Sequence, residues 1–250
     1  MTRTIAFAGR KGGTGKTTST VNVAGWLASQ GRRVLLVDAD PQGNATMALG
    51  IEANGADVWR LLVRQDPLSD LLREARPGLD IMAGGEQTAV ARDVLAVQST
   101  RDARAAMFAL RDALRQAVGY DFVLIDCPPS LDLIVINAVL ASTEIALPVP
   151  CQFLGAEGAR QFVELAAELA DTSRAALQWV IPTFYRHTKL SDDILEALKG
   201  AFGDRVTQAV RLTVRIDEAT RRGQTVFEYE PDCSGAEDYE AVARRIDDGW

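Results

Sequence analysis

The chain has 250 residues, of which 27 are Lys or Arg and 34 are Asp or Glu, giving a formal net charge of −7. Its apolar fraction of 47% excludes global disorder, and its length allows a core to form without disulfides or structural metals. The acidic balance argues against a uniformly basic surface for nucleic acid but leaves room for a local basic patch.

The three cysteines, Cys127, Cys151 and Cys233, are scattered and form no C-x-x-C pair. Zinc and iron–sulfur sites therefore have no ligand spacing to support them, and reduced thiols in the cytosol are the simpler interpretation. The most apolar stretch, residues 131–149, is interrupted by polar side chains such as Asp132. It falls short of the roughly 20 apolar residues that a membrane span needs. We expect a soluble, cytoplasmic protein.

Short β-branched runs alternate with helical periodicity along most of the chain. The pattern predicts strands at residues 4–8, 33–38, 79–82, 122–126, 145–148 and 178–181. It predicts helices at residues 16–30, 100–118, 131–141 and 155–170. The runs VLLVD and FVLID are continuously apolar, which is typical of parallel strands covered on both faces. The sequence therefore predicts an α/β fold with a doubly wound, mostly parallel sheet and helices on both faces, in a single domain spanning residues 1–250.

A glycine-rich loop joins the first strand to the first helix: Gly9-Arg10-Lys11-Gly12-Gly13-Thr14-Gly15-Lys16-Thr17-Thr18. Glycines let successive backbone N–H groups surround phosphate oxygens, and the helix N-terminus behind them favours an anion. In such a loop Lys16 neutralises the β- and γ-phosphates, and the Thr17 hydroxyl ligates Mg²⁺. The strict pattern G-x-x-x-x-G-K-[ST] fails only where Arg10 replaces its first glycine. The residues predicted to bind the nucleotide are Lys11, Gly12, Gly13, Thr14, Gly15, Lys16, Thr17 and Thr18.

Two later strands end in carboxylates. Asp38 and Asp40 leave the second strand, and Asp126 ends the strand FVLID. Sheets of this class bind ligands at the carboxyl ends of their strands, so we expect these side chains beside the glycine-rich loop. Paired carboxylates can position an attacking water and hold hydrated Mg²⁺, although a plain polar strand exit before a turn would show the same residues. The predicted metal ligands are Thr17, Asp38 and, through a water molecule, Asp126.

Three sequence strings resemble one family. KGGTGKTT resembles the deviant Walker A motif of the ParA/MinD/nitrogenase-iron-protein class of ATPases, VDADPQGNAT resembles switch I of Soj-type ParA proteins, and DCPPS resembles their switch II. The resemblance covers nearly the whole chain, least clearly residues 50–116. It implies a P-loop ATPase with ATP and Mg²⁺ as cofactors, which forms a homodimer when ATP is bound. It also implies that Lys11 reaches the partner's phosphates and that Asp40 positions the water with help from Asp38. The catalytic set is then Lys11, Lys16, Asp40 and Asp38.

Residues 183–222 hold eight basic and six acidic side chains, a local balance of +2 that leaves −9 for the rest of the chain. Partition ATPases of the resembled family bind DNA non-specifically through basic residues of this region, and Arg215 aligns with a DNA-contacting arginine. The supporting candidates are Lys189, Arg186, Arg221 and Arg222. A solvated charged face is the alternative, because the chain departs from the family's usual residues at His187, 211–213 and 232–234.

The resemblance implies a partition protein that hydrolyses ATP, associates with the nucleoid and is released after hydrolysis stimulated by a ParB-like centromere-binding protein. Such a cycle would drive segregation of a chromosome or plasmid. Two alternatives remain, namely a positioning ATPase for another cargo, such as a chemotaxis cluster or microcompartment, and a nucleotide-gated dimer switch with negligible turnover. The last residues, Arg-Ile-Asp-Asp-Gly-Trp, differ from the basic amphipathic helix of MinD-like proteins, so we expect no membrane partner.

Overall fold

The computed structural model describes residues 2–52, 57–152, 155–169 and 171–249. Within these residues seven strands form one sheet in the order β3-β4-β2-β5-β1-β6-β7. Their bounds are β1 Arg3–Phe7, β2 Val34–Asp38, β3 Leu72–Arg76, β4 Leu79–Met82, β5 Phe122–Asp126, β6 Glu144–Pro150 and β7 Ala176–Thr183. Neighbouring strands pair in parallel, except that β3 runs antiparallel to β4 at one edge of the sheet. The predicted α/β fold with a mostly parallel sheet is confirmed.

Helices pack on both faces of this sheet. They are α1 Lys16–Ser29, α2 Asn44–Ala48, α3 Asp57–Trp59, α4 Gln87–Ser99, α5 Ala103–Ala113, α6 Leu133–Ala141, α7 Gly155–Glu168, α8 Lys189–Phe202, α9 Val214–Arg221, α10 Val226–Tyr229 and α11 Ser234–Asp248. Successive strand side chains point to opposite faces, so Leu35 and Val37 pack with α4–α8, whereas Val34 and Leu36 pack with α1 and α9–α11. Among the helices described, none combines the length and the apolar character that crossing a bilayer demands.

The six predicted strands all form, with ends that differ from the prediction by no more than two residues. The sequence does not predict β3, whose residues LREAR are partly exposed and lack β-branched side chains. This strand is held by its antiparallel pairing to β4, with an irregularity between Glu74 and Arg76. Pairing with a distant segment, rather than local propensity, therefore makes it a strand.

The predicted helix at residues 100–118 is wrong in extent, and α4 before it is missed. A turn separates α4 from α5, because the side chain of Asp102 accepts a hydrogen bond from the N–H of Ala105 and caps the start of α5. Asp132 caps α6 in the same way, so that helix begins two residues after its predicted start at residue 131. The predicted helix at residues 155–170 is α7, and Ala170 lies outside the described residues.

Candidate nucleotide-binding site

The glycine-rich loop lies at the carboxyl end of β1, which is a central strand between β5 and β6. Gly13 and Gly15 adopt φ values of 69° and 88°, the left-handed region that favours glycine. Open space surrounds the position that a Cβ on Gly13 would take. The loop is anchored from β7, because the Thr183 hydroxyl donates a 2.9 Å hydrogen bond to the carbonyl of Thr14. The backbone is therefore shaped and open for an anion before any ligand binds.

Lys16 opens α1 and folds back over the loop. Its Nζ donates a 2.9 Å hydrogen bond to the carbonyl of Lys11, and its side chain is buried. Burial lowers the pKa of Lys16, and the nearby charges of Asp126, Cys127 and Asp40 oppose that shift. A buried ammonium whose neighbours are carboxylates is a strong partner for phosphate oxygens.

Asp126 ends β5 directly beside the first turn of α1. Its Oδ2 accepts a 2.7 Å hydrogen bond from the Thr17 hydroxyl, and its Oδ1 accepts one of 3.3 Å from Thr20. The strand register pairs Asp126 with Asp38 of β2, so both carboxyl groups leave adjacent strands at the same edge. Complete burial, followed by the charge of Asp38, raises the pKa of Asp126 well above its usual range.

Asp38 is held by groups from two other segments. One carboxyl oxygen accepts hydrogen bonds from the Thr46 N–H at 2.8 Å and the Thr46 hydroxyl at 2.7 Å, and the other accepts from the Asp40 N–H at 3.3 Å. The N–H of Gly84 in turn donates to the Thr46 hydroxyl at 3.0 Å. A Cβ on Gly84 would lie 2.6 Å from the Asp38 Cγ, so this position requires glycine. Burial raises the pKa of Asp38 to about 6, against the lowering effect of the Thr46 hydrogen bonds.

Sequence reasoning misses Thr46 and Gly84, which position Asp38 without belonging to a phosphate-loop motif. Two features of the sequence could have identified them. One is the polar residue Thr46 in the first turn of a short helix after Asp38, and the other is the Gly-Gly pair that follows β4. Asp40 is also buried, with its Oδ1 accepting the N–H of Gln42 at 2.9 Å. The predicted loop residues and the three predicted carboxylates thus come together at one edge of the sheet.

These residues fit a magnesium-bound nucleotide on three counts. The buried Thr14 hydroxyl has no hydrogen-bond partner within the described residues, which suits a polar ligand at the loop. Hydroxyl and carboxylate oxygens are the hard ligands that Mg²⁺ prefers, and this ion commonly completes its shell with phosphate oxygens and water. A cavity of about 210 Å³ is lined by Gly12 and Gly13 of the loop and by Pro150 at the end of β6.

The candidate DNA-binding side chains are separated in the structure. Arg215, in the first turn of α9, forms ion pairs with Glu218 at 2.9 Å and Glu230 at 3.0 Å. Arg222 stacks over the Tyr229 ring, with its guanidinium carbon 5.1 Å from the ring centre. Among the five candidates, those that are exposed and form no ion pair in the described parts of the chain are Arg186, Lys189, Arg221 and Arg222.

The backbone of Tyr185 pairs with Arg211, which brings the segment before α8 next to the start of α9. Arg186 and Lys189 flank this junction on the chain, whereas Arg221 lies at the far end of α9, about 10 Å along the helix axis. Arg211 is bound by Asp238 and Glu237, and Lys199 by Glu196, so part of the local positive charge is already compensated.

Comparison with known proteins places this site in a family. The family described as "AAA domain" (AAA_31) matches residues 2–179. The chain is 35% identical over 254 residues to "Chromosome partitioning protein ParA" of Caulobacter vibrioides, covering 98% of this chain and 93% of that protein. It is 36% identical over 253 residues to "Sporulation initiation inhibitor protein Soj" of Bacillus subtilis, covering 98% of each.

A solved structure agrees at the level of the fold. Cobyrinic acid a,c-diamide synthase from Mycobacterium smegmatis, with bound ADP and magnesium, superposes with a TM-score of 0.83 at 28% identity, covering 98% of this chain and 94% of that chain. The family match over residues 2–179 and the near-complete match to ParA and Soj lead to one conclusion. The chain belongs to the ParA/Soj family of P-loop ATPases.

Proposed function

We propose that this protein is a magnesium-dependent ATPase that dimerises on ATP, binds DNA non-specifically and is released after hydrolysis, moving a chromosome or plasmid. The observation that carries the proposal is the buried Lys16 beside the Thr17–Asp126 hydrogen bond, at a loop open to an anion. The name of the Caulobacter vibrioides relative, "Chromosome partitioning protein ParA", supports the partition role. The whole chain would act as one ATPase domain, residues 1–250.

In this proposal the site residues bind phosphate, hold Mg²⁺ and orient the attacking water. The backbone N–H groups of residues 11–18 and the Lys16 ammonium bind phosphate oxygens. Thr17 and Asp38 would hold Mg²⁺, and Asp126 would hold it through a water, as suits the ADP and magnesium bound by the Mycobacterium smegmatis relative. When bound, Mg²⁺ offsets negative charge on the phosphates. Asp40 accepts a hydrogen bond from the attacking water and orients it, and Asp38 assists.

Lys11 has a separate role in this proposal, and its side chain is partly exposed. We propose that it reaches the phosphates bound by a second copy of the chain, as the family resemblance implies. A cation supplied by the partner stabilises transition-state charge only in the dimer. Hydrolysis would then depend on dimerisation.

DNA binding would use Arg186, Lys189, Arg221, Arg222 and Arg215, and dimerisation would double their number. A ParB-like centromere-binding protein would stimulate hydrolysis, and the ATP-bound dimer would associate with the nucleoid. Because Arg215 is held by two carboxylates, the side chains without ion pairs give the firmer basis for phosphate contacts.

The first test is nucleotide binding by Lys16→Ala. We expect the variant to lose detectable binding of Mg·ATP in calorimetry, because no other buried cation stands over the loop in the described residues. Lys199→Ala, which removes an exposed lysine paired with Glu196, is the matched control and should bind as the parent does. Tight ATP binding by Lys16→Ala would refute the assignment of the loop.

Turnover separates the proposal from its alternatives. A partition ATPase should hydrolyse ATP faster with DNA and a ParB-like partner than alone. A dimer switch would bind ATP, change oligomeric state and show negligible turnover under every condition. A positioning ATPase for another cargo would respond to DNA but to a different partner, so the gene neighbourhood and stimulation by a co-encoded protein distinguish it.

A further inference from the structure

A close backbone contact joins the Asp38 side of the site to the end of α9, where Arg221 and Arg222 lie. Gly50, which follows α2, and Gly223, which follows α9, have φ values of 71° and 67°. A Cβ on Gly223 would lie 2.6 Å from the Cα of Gly50, so the two chain segments touch with no room for a side chain. When α2 is displaced, the end of α9 therefore has to follow it, or the two segments have to separate.

Arg76 of β3 fastens the same contact. Its guanidinium donates to the carbonyl of Leu49 at 3.1 Å and to the carbonyl of Gly223 at 2.7 Å. It also forms an ion pair with Glu228 of α10, with one N–H···O distance of 3.2 Å. The planar guanidinium of Arg76, which we call the Arg76 fork, thus connects β3 with the end of α2, the end of α9 and α10. Only arginine has the several donors in one plane that these contacts need.

The middle of α2 contacts Asp38 of the nucleotide site. Thr46, in the middle of α2, donates two hydrogen bonds to Asp38, and its carbonyl accepts the N–H of Ile51. Leu49 and Gly50 follow Thr46 by about one helical turn, roughly 5 Å along the axis. A single turn of helix therefore separates the Asp38 carboxylate from the Arg76 fork. The cationic residues Arg221 and Arg222 immediately precede Gly223.

We propose that α2 and Arg76 form a mechanical link through which occupation of the phosphate site repositions the end of α9. The link deepens the proposed function, on which it rests, by naming how nucleotide binding would reach the DNA-binding side chains. Arg76 is a positioning residue in this scheme, because it contacts neither nucleotide nor DNA. If nucleotide changes the affinity of the α9 surface for a ligand by some factor, thermodynamic linkage requires that ligand to change the affinity for nucleotide by the same factor.

Hydrogen exchange of the full-length chain tests the link without relying on DNA. Exchange would be measured by peptide mass spectrometry with and without Mg²⁺ and the non-hydrolysable analogue AMPPNP. The reporters are the amides of Arg222, Gly223 and Gln224, which donate within the end of α9. We expect AMPPNP to change their exchange about 5-fold or more in the parent, the lower end of common allosteric couplings.

Arg76→Gln should reduce this response to less than about 2-fold while AMPPNP still binds. Arg73→Gln is the matched control, since Arg73 lies on the same strand and pairs with Asp57 at 2.8 Å without touching α9 or α10. Its response should equal that of the parent. If Arg76→Gln folds poorly, Glu228→Gln removes the ion pair alone, and its amide can still accept the Thr225 N–H that Glu228 accepts; a partial loss of response is expected.

The outcomes separate this inference from the proposed function. If the parent binds AMPPNP but its reporter amides do not respond, or if Arg76→Gln responds fully, the link is refuted. A full response in the variant would point instead to the other route, the 2.8 Å hydrogen bond from the Val226 N–H to Asn22 of α1. A response in a protein that binds no DNA would support the link and refute the DNA-binding function. Failure to bind AMPPNP would refute both.

Discussion

Asp38 is a completely buried carboxyl group that accepts three hydrogen bonds. Burial nevertheless raises its pKa to about 6. A carboxyl with this pKa binds its proton more tightly in the folded chain than in the unfolded one, where the value is about 3.9. Ionisation of Asp38 therefore costs the protein stability unless a cation is present to accept the charge.

The resulting pH dependence has a definite sign. In the presence of a chelator, the free energy of unfolding should fall as pH rises from 5 to 7, by about 1 kcal/mol from Asp38 alone, because the folded state binds more protons in that interval. Urea unfolding at the two pH values measures this. The change should shrink in Asp38→Asn; equal pH dependence in parent and variant would contradict the assignment.

Thr46 offers a second test at the scale of one residue. Thr46→Val keeps the side-chain shape but removes the hydroxyl that joins Asp38 to the Gly84 N–H. We expect kcat for ATP hydrolysis to fall about 10- to 100-fold, the usual cost of losing an outer-shell partner of a metal ligand, with a smaller change in KM. Thr46→Ser restores the hydroxyl and should recover most of the activity. Equal kcat in Thr46→Val and the parent would exclude the positioning role.

At the scale of elements, α5 and α6 are joined by a buried amide. The Asn137 side chain of α6 accepts the N–H of Leu110 at 3.0 Å and donates to the carbonyl of Ala106 at 2.9 Å. Both partners belong to α5, one helical turn apart. The amide therefore fixes the position of α5 along α6 where the surrounding contacts are apolar and non-directional.

Asn137→Ala should lower the free energy of unfolding by about 2–4 kcal/mol, because it removes buried hydrogen bonds and leaves a cavity. Urea denaturation measures the loss. Gln98→Ala, at an exposed position of α4, is the control and should change stability by less than about 0.5 kcal/mol. A loss for Asn137→Ala no larger than that of the control would show that apolar packing alone holds the pair.

Local sequence signals succeed or fail element by element. β2 and β5 are predictable because an uninterrupted apolar run before an aspartate is enough to identify a covered parallel strand. β3 is not, because its charged residues become a strand only by pairing with β4. The predicted helix at residues 100–118 begins before the cap at Asp102 and extends past the end of α5 at Ala113, and α4 is missed.

At the scale of the whole molecule, the expected affinity for DNA depends more on where the charges lie than on the net charge of the chain. The chain carries −7, and Arg211, Arg215 and Lys199 of the basic region are already paired with carboxylates. Three of the eight basic side chains of residues 183–222 are thus compensated, which leaves five to displace counterions from DNA. Under the proposed function, binding should therefore be weak for one chain, gain from dimerisation and fall steeply with salt.

Arg221→Gln tests this distribution. The slope of log affinity against log salt for the ATP-bound protein on duplex DNA should become shallower by about 0.9 for each phosphate that Arg221 neutralises in the parent. Arg244→Gln removes the same charge from α11, where Arg244 pairs with Glu240, and should leave the slope unchanged. Equal slopes for Arg221→Gln and the parent would remove Arg221 from the DNA-binding surface.

The sequence by itself determined the fold class, the glycine-rich loop and the strand-end carboxylates, because each depends on neighbours within about ten residues and on the alternation of strands and helices. Only the tertiary structure decided what surrounds them. Thr46 and Gly84 hold Asp38, Arg76 of β3 binds the carbonyl of Gly223 across 147 positions of sequence, and two glutamates form ion pairs with Arg215. These contacts join segments that come together only when the sheet and its helices are assembled. No local pattern in the sequence can therefore predict them.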